Sequence, residues 1–206
     1  MTLTINCIAQ TKSITKKEYE TVQHIAEANF EKIPNISSTK IEEYVDGKLT
    51  KTSVITEESI PPKKMKWTEI GTSGNQITKL EIITIHNVEY KRENGRVWVK
   101  KDFGKSEDND ESSGFTITGQ ESPNQKRYSV EEAKFNNQIV RIYSVSTIYN
   151  YDPNVVYSYR RWINSDNLIL KSEDISSEIK SGAVIRHEIV LREYNPKNLK
   201  IEAPIK

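Results

Sequence analysis

The chain is poor in the residues from which metal and redox centres are most often built. Its 206 residues include one cysteine and three histidines. One cysteine forms no internal disulfide, and His24, His86 and His187 lack any His-x-His or His-Glu-x-x-His spacing that would hold a metal. Each histidine reads more simply as part of the core or of a cavity wall. The eight glycines form no Gly-x-Gly-x-x-Gly, phosphate-loop or Gly-x-Ser-x-Gly pattern, so nucleotide and serine-hydrolase signatures are absent. No run of 18 apolar residues exists, so no integral membrane segment is expected. Thirty basic and 29 acidic residues cancel to a net charge of +1. Nothing in that balance draws the whole chain towards nucleic acid or an anionic surface.

Alanine and leucine are also scarce, at 6 and 7, against 26 isoleucines and 10 tyrosines. β-Branched and aromatic residues suit a pleated surface, whereas a helical domain favours Ala and Leu. Turn dipeptides divide these residues into runs: Asp46-Gly47, Asn94-Gly95 and Asn136-Asn137, with a longer turn over Asn164 to Asn167. Strands are expected near 38–45, 48–57, 63–71, 76–91, 96–101, 115–120, 127–135, 138–149, 155–163, 167–175 and 183–194. Ser129 to Glu132 has the makings of a short helix cap, but the alternation of Tyr128 and Val130 favours a hairpin.

One helix stands out. Thr15-Lys16-Lys17-Glu18 is a capping box, with Ile14 and Tyr19 placed as a hydrophobic staple. Tyr19, Val22, Ile25, Ala26, Phe30 and Ile33 then recur at spacings of three and four, and Pro34 ends the run. Its apolar stripe must be buried against the sheet.

The first fourteen residues read as an N-terminal tail or signal-peptide remnant. Cys7-Ile8-Ala9 has small residues suited to a cut after Ala9, without a basic start. Residues 15–206 read as one domain. Asp108-Asn109-Asp110-Glu111-Ser112 opens like a calcium loop but has Ser113 and Gly119 where Gly and Glu are needed, and it is rejected as an EF-hand. The acidic, Ser-rich stretch from Lys105 to Gly114 reads as a solvated loop, and Lys63, Lys64 and Lys66 as a solvated edge.

A two-residue turn at Asn94-Gly95 would pair Lys91 with Trp98 and Tyr90 with Val99. Continuing the alternation along 76–91 puts Leu80, Ile82, Val88, Tyr90 and Val99 on one face, and Ile83, Ile85 and Trp98 on the other. Two apolar faces under one helix imply a second layer or a curled sheet around a lined cavity, and the curled sheet is favoured.

Three segments then resemble a known family. Val88 to Trp98 looks like the Tyr-x-Arg, Gly-x-x-Trp hairpin of LolA-like proteins, the outer-membrane lipoprotein carrier and lipoprotein-sorting superfamily. Trp162 to Lys171 is similar to their Trp-containing hairpin, and Tyr194-Asn195-Pro196 through Ile201 to Pro204 resembles their closing strand and Ala-Pro end. The resemblance spans about residues 15 to 204. It implies a mainly β (α+β) fold: a large curled antiparallel sheet forming an open half-barrel, with the N-terminal amphipathic helix on its concave face. It also implies a protein of the periplasm or a secreted one that shelters lipids or lipoprotein acyl chains. Such carriers close the cavity with several helices, and this chain offers one. Arg141, Arg160, Arg161 and Arg186 all compete for the place of the strand arginine that holds the lid.

The expected function is therefore non-catalytic binding of a hydrophobic small molecule, lipid or lipidated protein by a monomer, with no enzyme activity, cofactor, metal or nucleic acid. Trp67, Trp98, Trp162, Ile83 and Ile85 are the expected ligand contacts. Tyr19, Val22, Ile25 and Phe30 are the expected lid-helix residues. For each tryptophan the alternative is packing under the helix or an amphipathic rim position. For the whole chain the alternative is a protein-protein interaction module with a self-filled cavity.

Overall fold

The computed structural model describes residues 11–104 and 126–205. The expectations for the signal remnant before residue 11, the Lys105 to Gly114 loop, the calcium-like run and a strand at 115–120 lie outside the described residues. The elements are β1 (Lys12–Ser13), α1 (Lys16–Phe30), β2 (Asn35–Val45), β3 (Lys48–Ile60), β4 (Lys64–Ser73), β5 (Gln76–Ile85), β6 (Val88–Glu93), β7 (Val99–Asp102), β8 (Arg127–Phe135), β9 (Gln138–Tyr149), β10 (Asp152–Ile163), β11 (Ile169–Glu178) and β12 (Val184–Tyr194). The twelve strands form one antiparallel sheet in the order β1-β8-β9-β10-β11-β12-β2-β3-β4-β5-β6-β7. Among the described residues the order is linear, β1 and β7 stand at its edges, and the sheet does not close.

Local chemistry explains the hairpins. Asp46-Gly47, Asn94-Gly95 and Asn136-Asn137 all adopt positive φ at both residues, as type I′ turns demand. The helix begins as its capping box dictates. Thr15 Oγ1 accepts from the Glu18 N–H at 3.2 Å, and the Thr15 N–H donates to Glu18 Oε2 at 2.7 Å.

Two strand expectations are corrected. The 76–91 run is two strands, because His86 (φ 55°) and Asn87 make a two-residue turn that pairs Ile85 with Val88 and Ile83 with Tyr90. That turn resets the alternation, so Val88 and Tyr90 share a face with Ile83 and Ile85, not with Leu80 and Ile82. The Asn94-Gly95 hairpin is also displaced by one residue. Lys91 pairs with Val99 and Tyr90 with Lys100, leaving Arg96 to Trp98 outside the ladder. A shift of one residue moves every side chain to the other face.

The register sorts the core onto two faces. On the helix side Ala26 is fully buried among Tyr143, Ile163 and Ile169, with Ile14, Tyr19, Val22 and Val130 around it. On the opposite side Val140, Ile142 and Trp162 form one cluster, and Ile83, Tyr90 and Ile201 form another. A register shift after Trp162 puts the adjacent Leu170 and Lys171 on the same face, both against Trp162, and keeps Ile169 with Ile163 on the helix side.

Candidate functional site

The helix is pinned to the sheet at both ends. At its start the Ile14 N–H donates to the Tyr128 carbonyl at 3.2 Å, and the rings of Tyr19 and Tyr128 lie 5.2 Å apart. At its end Phe30 meets Tyr194 edge-on at 6.5 Å, and the Arg192 guanidinium lies 5.2 Å over the Phe30 ring. Asn29 Nδ2 donates to the Asp166 carbonyl at 3.4 Å. Burial lowers the Arg192 pKa, and its Nη1 donates to Ser172 Oγ at 2.8 Å while its buried Nε has no partner among the described residues. On the same face Arg161 grips the Asp174 carboxylate with both terminal nitrogens. Burial opposes the Arg161 charge, but bonding to Asp174 prevails and raises its pKa.

Beside the helix runs an open groove. Its first part, about 680 Å³, lies between α1 and β8–β9, with Ile14, Val22, Val130 and Tyr143 as its apolar floor and Lys12, Lys17, Glu132 and Arg141 around it. A second hollow of about 520 Å³ shares Glu132, Arg141 and Tyr143 and continues to Ile163, Asn164 and Asn167. Arg141 meets Glu132 at 3.5 Å. Hydrogen bonding to Tyr143 and pairing with Glu132 hold its pKa up. Gln23 Nε2, on the inward side of α1, is a buried donor without a partner among the described residues. The arrangement has the size and character of a ligand site: an apolar floor with polar groups at the edge. No group of three or more His, Cys, Asp or Glu that would hold a metal occurs among the described residues.

Of the residues singled out in the sequence, Val22 lines this groove. Tyr19 and Phe30 anchor the helix, and Ile25 stands on its flank, 42% exposed. Trp67 is on β4, half-buried on the helix-side face and paired with Ile82. That face continues beyond the helix through Ile41, Ile55, Trp67 and Ile82, all half-buried. Trp98, Ile83 and Ile85 do come together, on the opposite face around Ile201, with Arg92 4.5 Å over the Trp98 ring. Trp162 lies in a third place, between Arg160 at 4.8 Å and Lys171 at 4.2 Å. The three tryptophans thus share no single pocket. The groove residues Ile14, Val130, Arg141 and Tyr143, and Arg192 beneath the helix end, were not singled out as contacts. The staple at Ile14, and Arg141 as one of four candidates for the strand arginine, were the signals that pointed there.

No family model and no curated protein sequence matches the chain. Solved structures do resemble it. LprF from Mycobacterium bovis is similar at 10% identity and a TM-score of 0.49, with 95% of this chain and 100% of that chain covered. A domain described as an outer membrane lipoprotein-sorting protein, from Vibrio parahaemolyticus, is similar at 8% identity and a TM-score of 0.30 over 88% of this chain and 95% of that chain. The LolA superfamily protein NE2245 from Nitrosomonas europaea is similar at 7% identity and a TM-score of 0.29, covering 85% and 91%. These are likenesses of fold, and the chemistry of the groove rests on its own residues.

Proposed function

We propose that this chain is an exported, monomeric half-barrel that binds a hydrophobic ligand, a lipid or a lipoprotein acyl chain, without transforming it. The groove beside α1 carries the reading: an open trough with an apolar floor of Ile14, Val22, Val130, Tyr143 and Ile163. Water against such a floor is displaced favourably by an acyl chain, at about 0.8 kcal/mol for each CH₂ buried. In this reading α1 lies on the concave face as a lid, and Arg192 steadies its C-terminal end through Phe30. The helix-side strip at Ile41, Ile55, Trp67 and Ile82 extends the surface open to a longer chain, which gives Trp67 its role as a ligand contact.

Titration with a fluorescent fatty acid tests the site. Val130→Trp fills the groove floor and is expected to abolish uptake while leaving the thermal midpoint near that of the wild type. Uptake unchanged in this variant would place the ligand elsewhere.

A further inference from the structure

Four of the described arginines are half-buried, and three of them meet a carboxylate. Arg92 pairs with Glu81 at 2.7 Å, Arg160 with Glu131 at 3.0 Å, and Arg161 with Asp174. Arg192, the fourth, makes no ion pair among the described residues. Its Nη1 donates to the neutral Ser172 Oγ, and its Nε and Nη2 have no partner among those residues. The helix end does not serve it either, because the Phe30, Asn29 and Glu27 carbonyls accept from Asn35 Nδ2 and from the Lys32 and Glu31 N–H groups. Arginine keeps its charge in a protein, and a charge drawn out of water without a partner is costly. Burial, aided by the Arg161 charge, lowers the Arg192 pKa against the pull of Tyr194, Glu57 and Asp174. Asp174 is held by Arg161, and Glu57 lies two rungs away across Ser37 without a hydrogen bond to Arg192. A second unused donor faces the same side. Tyr19, Gln23 and Phe30 share one stripe of α1; Tyr19 feels the Arg161 and Asp174 charges, and Phe30 packs on Arg192. Gln23 stands between them and buries its Nε2 without a partner among the described residues.

We infer that Arg192 is a head-group subsite that takes the carboxylate of a free fatty acid. This rests on the hydrophobic-ligand reading above and narrows its ligand class. The Nε–Nη2 edge of a guanidinium is the fork that accepts both oxygens of a carboxylate. One unpaired guanidinium suits a monoanion; Arg161, committed to Asp174, offers no second free cation to a phosphate dianion. The ladder runs from Arg192 through Ser37 and Glu57 to Trp67 and Ile82, all on the helix-side face. With strands roughly 4.8 Å apart, the half-buried Trp67 stands about 14 Å from the head group, within reach of a long acyl chain. Glu57 stands beside that path and opposes the carboxylate. Phe30 lies over the guanidinium, so a bound carboxylate competes with the hold that Arg192 has on the end of α1.

Equilibrium dialysis of the full chain against radiolabelled oleate and oleyl alcohol, each below its aggregation concentration, tests the inference. The two probes share one hydrocarbon chain, so the ratio of their affinities isolates the head group. Wild-type chain is expected to hold oleate about tenfold tighter than the alcohol. Arg192→Gln is expected to bring that ratio to about one, and Arg192→Lys, with the charge but no fork, to keep part of it. Glu57→Gln removes the like charge beside the path and is expected to raise the ratio. A wild-type ratio near one, or a ratio that survives Arg192→Gln, would overturn the carboxylate subsite and leave the hydrophobic reading standing. Uptake of neither probe would overturn that reading and the subsite with it. A ratio lowered by Glu57→Gln as far as by Arg192→Gln would make Glu57 the partner of Arg192 and overturn the subsite as well.

Discussion

At the residue scale, Thr15 and Ala26 set the position of α1. Thr15→Ala removes the cap that the Glu18 N–H needs and is expected to cost about 1 kcal/mol, read from urea unfolding. The Thr15 backbone N–H and then its hydroxyl hold the Glu18 carboxyl below its ordinary pKa of 4.5. A carboxyl depressed in the folded state stabilises the fold above its unfolded pKa, and that contribution is lost as pH falls through the folded value. The stability gap between wild type and Glu18→Gln should therefore be full near neutral pH and close below about 4.5. A gap that widens in acid would refute the linkage. Ala26 has no exposed surface at all. Ala26→Leu is expected to cost about 1–3 kcal/mol by lifting the helix from Tyr143 and Ile169. Tyr157 titrates in the other direction: burial, aided by its bond to Asp152, pushes its pKa up to about 12. The stabilisation it brings is complete below about pH 10 and lost as pH rises through about 12. Absorbance at alkaline pH should show a late-ionising tyrosine that Tyr157→Phe removes.

At the scale of elements, Arg161 and Asp174 join β10 to β11 under the helix. Asp174→Asn leaves a half-buried guanidinium with a weaker acceptor and is expected to destabilise by about 1–3 kcal/mol in chemical denaturation. An unchanged midpoint would show that water replaces the carboxylate without loss. Most elements were legible in the chain because their signals are local. The capping box starts the helix, although it ends at Phe30 and leaves the expected Ile33 in the turn before Pro34, and Asp-Gly, Asn-Gly and Asn-Asn supply the positive φ that type I′ turns require. The His86-Asn87 turn was missed because histidine carries no such signature, although its φ here is 55°. The β6–β7 register was missed because Trp98 packs against the cluster of Ile83, Tyr90 and Ile201, so pairing resumes at Val99 and not at Arg96, with the register displaced by one residue. Ile201 is remote in sequence, and no local pattern announces it.

At the scale of the molecule, one 15-residue helix covers part of a twelve-stranded sheet, and the groove is what this mismatch leaves open. Its walls come from β1, α1, β8 and β9, which only the long-range strand order brings together. That order is why, among the groove residues, only Val22 was read in advance as a lid-helix residue and Arg141 only as one of four candidate arginines. On the opposite face the tail covers the Ile83 and Tyr90 cluster, and Ile201→Ala is expected to cost about 2–5 kcal/mol, seen as a lower thermal midpoint with groove binding retained. If α1 is a lid, amide exchange between Lys16 and Phe30 should quicken when a long-chain fatty acid is added, and unchanged exchange would count against the lid. The most direct measurement is a native mass spectrum of the chain purified without detergent. The account predicts a lipid-sized mass above 23.7 kDa that organic extraction removes and added lipid restores. A clean mass of 23.7 kDa that takes up neither fatty acid nor phospholipid would contradict it.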